Sequence, residues 1–283
     1  MPRFARLQIL MLAGVVVGAC KPEEVVKTEN IPTAGVRFIN AVPDSAGAFG
    51  FDMRFLDLVE NNAQFRITFR NGPATVSGVT ASAQTQFKNA RAGSRRFAIF
   101  LDDTLQSIAQ VKLKDTTVTI EAGKNYTAIL WGAARMGAMK LTFFEDAPAD
   151  PGANVALRVI NASSAAIDVS QYPQGGAVPT TATWASVAPL SKSAFVNAAP
   201  GNIMYNVRAA GSATNLFADL LALQGQANTV DIEGTPGTTR AGSAVTLVVF
   251  PQSTVGARTP QAAAFLVPAG AFMWDRRPLR TSP

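Results

Sequence analysis

Apolar and polar positions alternate over short stretches along most of the chain. Val36-Arg37-Phe38-Ile39 and Leu157-Arg158-Val159-Ile160 begin apolar-polar-apolar, the period-two pattern of a strand with one face on a core. Phe97-Ala98-Ile99-Phe100 and Ile203-Met204-Tyr205-Asn206-Val207 are further short runs of strand type. The same reasoning predicts strands at residues 50–55, 65–70, 110–113, 118–121, 141–144, 166–170, 216–223 and 263–267. Short strands at this spacing imply an all-β fold built from β-sandwiches.

The pattern repeats. Arg37-Phe38-Ile39-Asn40-Ala41 returns as Arg158-Val159-Ile160-Asn161-Ala162. Phe87-Lys88-Asn89-Ala90-Arg91-Ala92-Gly93 returns as Phe195-Val196-Asn197-Ala198-Ala199-Pro200-Gly201. Ala122-Gly123 before Asn125-Tyr126-Thr127-Ala128-Ile129-Leu130-Trp131 matches Ala241-Gly242 before Ala244-Val245-Thr246-Leu247-Val248-Val249-Phe250. The offsets are 121, 108 and 119 residues, so the copies keep their order and differ in loop length. The Ala-x-Gly and Ala-Gly ends read as turns, because glycine tolerates the positive φ such reversals often need. This predicts two tandem immunoglobulin-like β-sandwich domains at residues 35–148 and 153–270, with a proline-containing linker at 149–152 and a tail at 271–283. Residues 57–62 and 71–86 are extra in the first copy and 234–240 in the second, as surface loops would be.

The amino terminus reads as an address. Arg3 and Arg6 precede an apolar run at residues 7–17, then Gly18, Ala19 and Cys20. A run of about 11 residues suits a signal peptide and falls short of a membrane span. Val17-Gly18-Ala19-Cys20 resembles a bacterial lipobox, with valine where leucine is usual. It predicts a signal peptide at 1–19, lipid on Cys20 and a polar tether at 20–34. The alternative is an ordinary signal peptide with Cys20 beside its cleavage site by chance. Lysine at position 21, in place of aspartate, favours an outer membrane if the source has two.

Composition then removes most chemistry. There is no histidine and one cysteine, which excludes histidine-dependent nucleophilic sites, histidine–metal sites, cysteine-rich zinc sites and an intrachain disulfide. The formal charge is +6; without Arg3 and Arg6 the balance is 23 basic to 19 acidic residues, or +4. The basic residues are scattered and no nucleic-acid stripe is present. Of the acidic pairs, Asp102-Asp103 and Glu145-Asp146 admit calcium or acid–base roles, but their strand-end positions point to solvated turns. Asn40, Asn161, Asn89 and Asn197 recur, and at strand ends asparagine shapes turns. Trp131, Phe143 and Phe144 read as core. Trp274-Asp275-Arg276-Arg277 is either a docking peptide or the last segment packing on the second domain. No cofactor or metal is implied.

Val36-Arg37-Phe38-Ile39-Asn40-Ala41-Val42-Pro43-Asp44, followed by Ala122-Gly123-Lys124-Asn125-Tyr126-Thr127, resembles the domain-of-unknown-function family 4397. The second copy lacks the Pro-Asp and has Val245 in place of the tyrosine. The resemblance implies a β-sandwich and an extracytoplasmic role, with no catalytic residues to carry over. The expectation is a non-catalytic, membrane-anchored envelope lipoprotein that binds or spaces by surface contact with an envelope protein or glycan. The alternative is an envelope hydrolase using carboxylates alone.

Overall fold

The computed structural model describes residues 30–44, 51–57, 68–69, 87–101, 105–255 and 266–278. The signal peptide, Cys20, Asp102-Asp103 and the 71–86 insertion lie outside the described residues. Pro32–Pro283 form one compact unit and Met1–Ile31 another, of which only residues 30 and 31 are described.

The fold is nearly all β. The first repeat contributes β1 (Thr33–Ala41), β2 (Phe51–Phe55), β3 (Thr68–Phe69), β4 (Lys88–Arg91), β5 (Gly93–Leu101), β6 (Lys112–Ile120), β7 (Asn125–Trp131) and β8 (Lys140–Glu145). The second contributes β9 (Val155–Asn161), β10 (Ile167–Pro173), β11 (Trp184–Val187), β12 (Ser191–Lys192), β13 (Val196–Ala198), β14 (Ile203–Ala209), β15 (Asn215–Leu221), β16 (Ala244–Phe250) and β17 (Ala269–Arg276). One turn of helix, α1 (Gln106–Ala109), precedes β6.

Each repeat is a two-sheet sandwich on one plan. In the first, sheet β4-β1-β7-β8 faces sheet β3-β2-β5-β6. In the second, sheet β12-β9-β16-β17, with β13 also on β9, faces sheet β11-β10-β14-β15. Val36, Phe38, Tyr126 and Ala128 meet Phe51, Met53, Phe97 and Ile99 in the first core. Leu157, Val159, Val245 and Leu247 meet Val169, Trp184, Tyr205 and Val207 in the second. Both Ala-Gly turns open a strand as expected: Gly123 and Gly242 have φ of 76° and 81°, open to glycine at little cost.

The central strands differ from the expected pattern. β1 pairs in parallel with β7, and β9 with β16. Their second faces do not meet water; they meet each other. Ile39, Ala41, Ile129 and Trp131 pack against Ile160, Ala162, Val248, Phe250, Ala271 and Met273 in a third core. Strands buried on both faces read as near-continuous apolar runs, which explains why β7, β9 and β16 alternate so weakly. Four sheets are therefore layered, with the inner two shared at the contact between repeats.

Three boundaries are corrected. The segments 110–113 and 118–121 belong to one strand, β6, whose exposed Lys112 and Thr116 suit a sheet edge. Leu266 and Val267 precede the last strand rather than forming one. The segment from 271 is no separate tail through Arg276: it is most of β17, antiparallel to β16, because Ala271 and Met273 supply the inner sheet's buried face.

Candidate functional site

The most concentrated polar chemistry among the described residues lies where the two inner sheets meet. Arg37 on β1 sits opposite Thr127 on β7 in strand register, as Arg158 on β9 sits opposite Thr246 on β16. Because Val36 and Phe38 point into the first core, Arg37 points the other way, at the second repeat. Arg37 Nε donates to Thr127 Oγ1 at 2.7 Å, and Arg158 Nε to Thr246 Oγ1 at 2.8 Å. Thr127 donates to Asp146 and Thr246 to Asp275. The two halves are quasi-equivalent.

The charges are then exchanged between repeats. Arg37 Nη2 donates to Asp275, and Arg158 Nη2 to Asp146. Arg158 also holds Asp275 at 2.8 Å, and Arg37 lies 3.4 Å from Asp146. Arg37 Nη1 donates to the Trp274 carbonyl at 2.8 Å. Phe87 and Phe195, the counterparts found in the second motif, cover the two guanidiniums at 4.4 and 4.6 Å from ring centroid.

None of the six polar residues is more than 4% exposed. Unpaired charges could not persist at this depth; two arginines and two aspartates make the cluster neutral, and each side chain has partners from both repeats or from its threonine. Burial works to lower the Arg158 pKa, but Asp275 and Asp146 outweigh it and hold it above the usual value. Burial also pulls Lys192 down, helped by the nearby Arg158. Lys192 Nζ lies 4.2 Å from the Phe144 ring centroid at the rim.

The residues singled out by sequence are distributed as follows. Glu145 is exposed enough to pair with Lys124 at 3.1 Å, whereas Asp146 is buried, which corrects its reading as a solvated turn carboxylate. Asn40 accepts from the Val42 N–H at 3.1 Å and Asn161 from the Ser163 N–H at 3.0 Å, the same local turn in both copies. Asn89 and Asn197 are exposed on β4 and β13. Trp131 is buried in the shared contact, and Phe143 stacks on Tyr126 in the first core. Trp274 is half-buried, edge-on to Phe87 at 5.8 Å. Arg276 pairs with Asp150 at 2.6 Å and Arg277 with Glu233 at 2.9 Å. Asp275 is 2% exposed, which removes it from any docking surface because its carboxylate is committed to Arg37, Arg158 and Thr246.

Sequence reasoning passed over Arg37, Arg158, Thr127 and Thr246. Their signal was present: polar residues recurring at matched places inside apolar runs that carried too few other polar positions. Among the described residues no three acidic, cysteine or histidine side chains are grouped to hold a metal.

No curated protein matches the chain. Ten solved chains match, among them "The Bacillus anthracis TIE protein" at 7% identity and a TM-score of 0.20, covering 78% of this chain and 34% of that one. A likeness that slight carries no argument. A family model described as "Domain of unknown function (DUF4397)" matches residues 34–172, from β1 through all but the last residue of β10. The first repeat from Ala34 onward, with its Arg37–Thr127–Asp146 half-cluster, lies inside that match, so over residues 34–172 the chain is similar to this family.

Proposed function

We propose that the protein is a non-catalytic cell-envelope lipoprotein, anchored through Cys20, whose two repeats act as one stiff binding or spacer module. The observation that carries this is the buried exchange of charge between repeats, supported by the third apolar core around it. A carboxylate needed for hydrolysis must reach substrate, whereas Asp146 and Asp275 face arginine and threonine in a dry contact. That weighs against the hydrolase reading and favours action by surface contact. Among the described residues no helix is long and apolar enough to cross a membrane. Anchoring instead rests on the lipobox-like Val17-Gly18-Ala19-Cys20, with an outer membrane favoured if the source has two.

The test is metabolic labelling. Expressed in a bacterial host, the protein takes up labelled palmitate and partitions into detergent, and Cys20→Ser does neither. Equal labelling of the variant refutes the anchor. Robust hydrolysis of envelope glycans or peptides by the purified protein refutes the contact role.

A further inference from the structure

Two repeats on one plan make any place where they differ informative. One such place lies at the end of each sandwich, beside the Ala-x-Gly turn. In the first repeat it is filled. Arg95 reaches across it, donating from Nε to Asp57 at 2.8 Å and from Nη1 to the Arg91 carbonyl at 2.8 Å. Its guanidinium lies 4.5 Å from the centroid of the Phe55 ring.

Strand register identifies the counterparts. Phe55 pairs with Phe97 as Gln171 pairs with Tyr205, and Phe97 and Tyr205 each stand four residues after the matched Gly93 and Gly201. Phe55 thus corresponds to Gln171, Asp57 to Pro173 and Arg95 to Ile203. All three parts of the plug are replaced together. What is left in the second repeat is a concavity of about 490 Å³, lined by Gln171, Pro173, Gln174, Pro200, Asn202 and Ile203 among others. That is the size of a small-ligand site.

Its chemistry narrows the ligand. No lining side chain carries a charge, so an ionic ligand finds no counter-charge there. An extended peptide would add to an open strand edge, whereas Gln171–Pro173 of β10 and Ile203 of β14 are already paired with each other across the sheet. The polar groups are side-chain amides in a relay. Gln224 Nε2 donates to Asn202 Oδ1 at 2.9 Å, and Asn202 Nδ2 donates to Gln174 Oε1 at 3.0 Å. Gln174 and Asn202 thus bring side-chain amides to the lining, each with donor and acceptor capacity beyond the relay. Hydroxyls both donate and accept, so neighbouring sugar hydroxyls match such a set.

We propose that this concavity is a binding site for a neutral glycan segment, held by Gln171, Gln174 and Asn202, and that Arg95 closes the corresponding place in the first repeat. The assignment deepens the contact role above and rests on it for what the module is for. It does not rest on the anchor, since sugar binding is indifferent to acylation of Cys20; failure of one leaves the other standing.

The experiment titrates the full mature protein in detergent with cellotriose, maltotriose, chitotriose and mannotriose, read by saturation-transfer NMR and calorimetry. At least one sugar binds. Asn202→Ala weakens it by about tenfold, the worth of a lost hydrogen bond to a ligand. The combined Gln171→Phe, Pro173→Asp and Ile203→Arg variant, which transplants the first repeat's plug, abolishes binding in the folded protein. If that variant does not fold, Asn202→Ala and Gln174→Ala decide. The proposal is overturned if none of the sugars binds, if binding is undiminished in those variants, or if a neutral alanine-glutamine peptide binds there in preference to every sugar.

Discussion

Asp275→Asn is the sharpest probe of how the repeats are joined. The substitution barely changes shape, but it takes one of two negative charges out of a buried cluster holding Arg37 and Arg158. Both guanidiniums then share Asp146 alone, and the cluster acquires a net positive charge in surroundings that water does not reach. Removing one partner of a buried ion pair costs about 3–5 kcal/mol. An exposed pair such as Arg96–Asp115 contributes far less, because solvent screens it. For a unit of this size the larger loss corresponds to a melting temperature lowered by about 6–20 °C, at roughly 2–4 °C per kcal/mol. Urea unfolding measures it, with Asp115→Asn as the exposed control. Trp131 in the shared contact and Trp184 in the second core report by fluorescence. Replacing all four charges together by Met and Leu recovers most of the loss, because four ions no longer need desolvation. A loss for Asp275→Asn no larger than the control's refutes the reasoning.

Two further substitutions test smaller claims. Gly123→Ala, at φ 76° with nothing within 4 Å of the added methyl, costs about 1–2 kcal/mol in urea unfolding from backbone strain alone; an unchanged midpoint refutes the turn assignment. Burial, then the bond to Asp219, pushes the Tyr172 hydroxyl up to about 12. A raised folded value gives stability that is complete below the unfolded value of 10.0 and lost as pH rises through about 12, so the wild type weakens across that window relative to Tyr172→Phe. Parallel pH profiles for the two proteins exclude the contribution.

The all-β class and the Ala-Gly turns were legible because each is written in neighbouring residues: alternation, and a glycine where φ turns positive. Arg37 and Arg158 were not. A single polar residue in a strand looks the same whether it faces water or a partner 238 positions away, and only the latter distance separates Arg37 from Asp275. The same limit hid Asp146, whose place after β8 suggested a turn while its partner Arg158 lies across the contact. The segment around Trp274 was ambiguous for a related reason: Ala271 and Met273 belong to a face whose apolar counterpart, Ile39 and Ile129, is supplied by the other repeat.

The contact between repeats has the isologous form of a two-fold dimer, in which each side offers the other the same groups. Here both sides are carried on one polypeptide. Association is therefore a first-order event, governed by the short connection near residues 147–152 rather than by how much protein is present. A dimer of separate copies would come apart on dilution; this one does not. The same fusion ties the histories of the two copies together, since a change of charge in either half of the cluster strands a residue in the other.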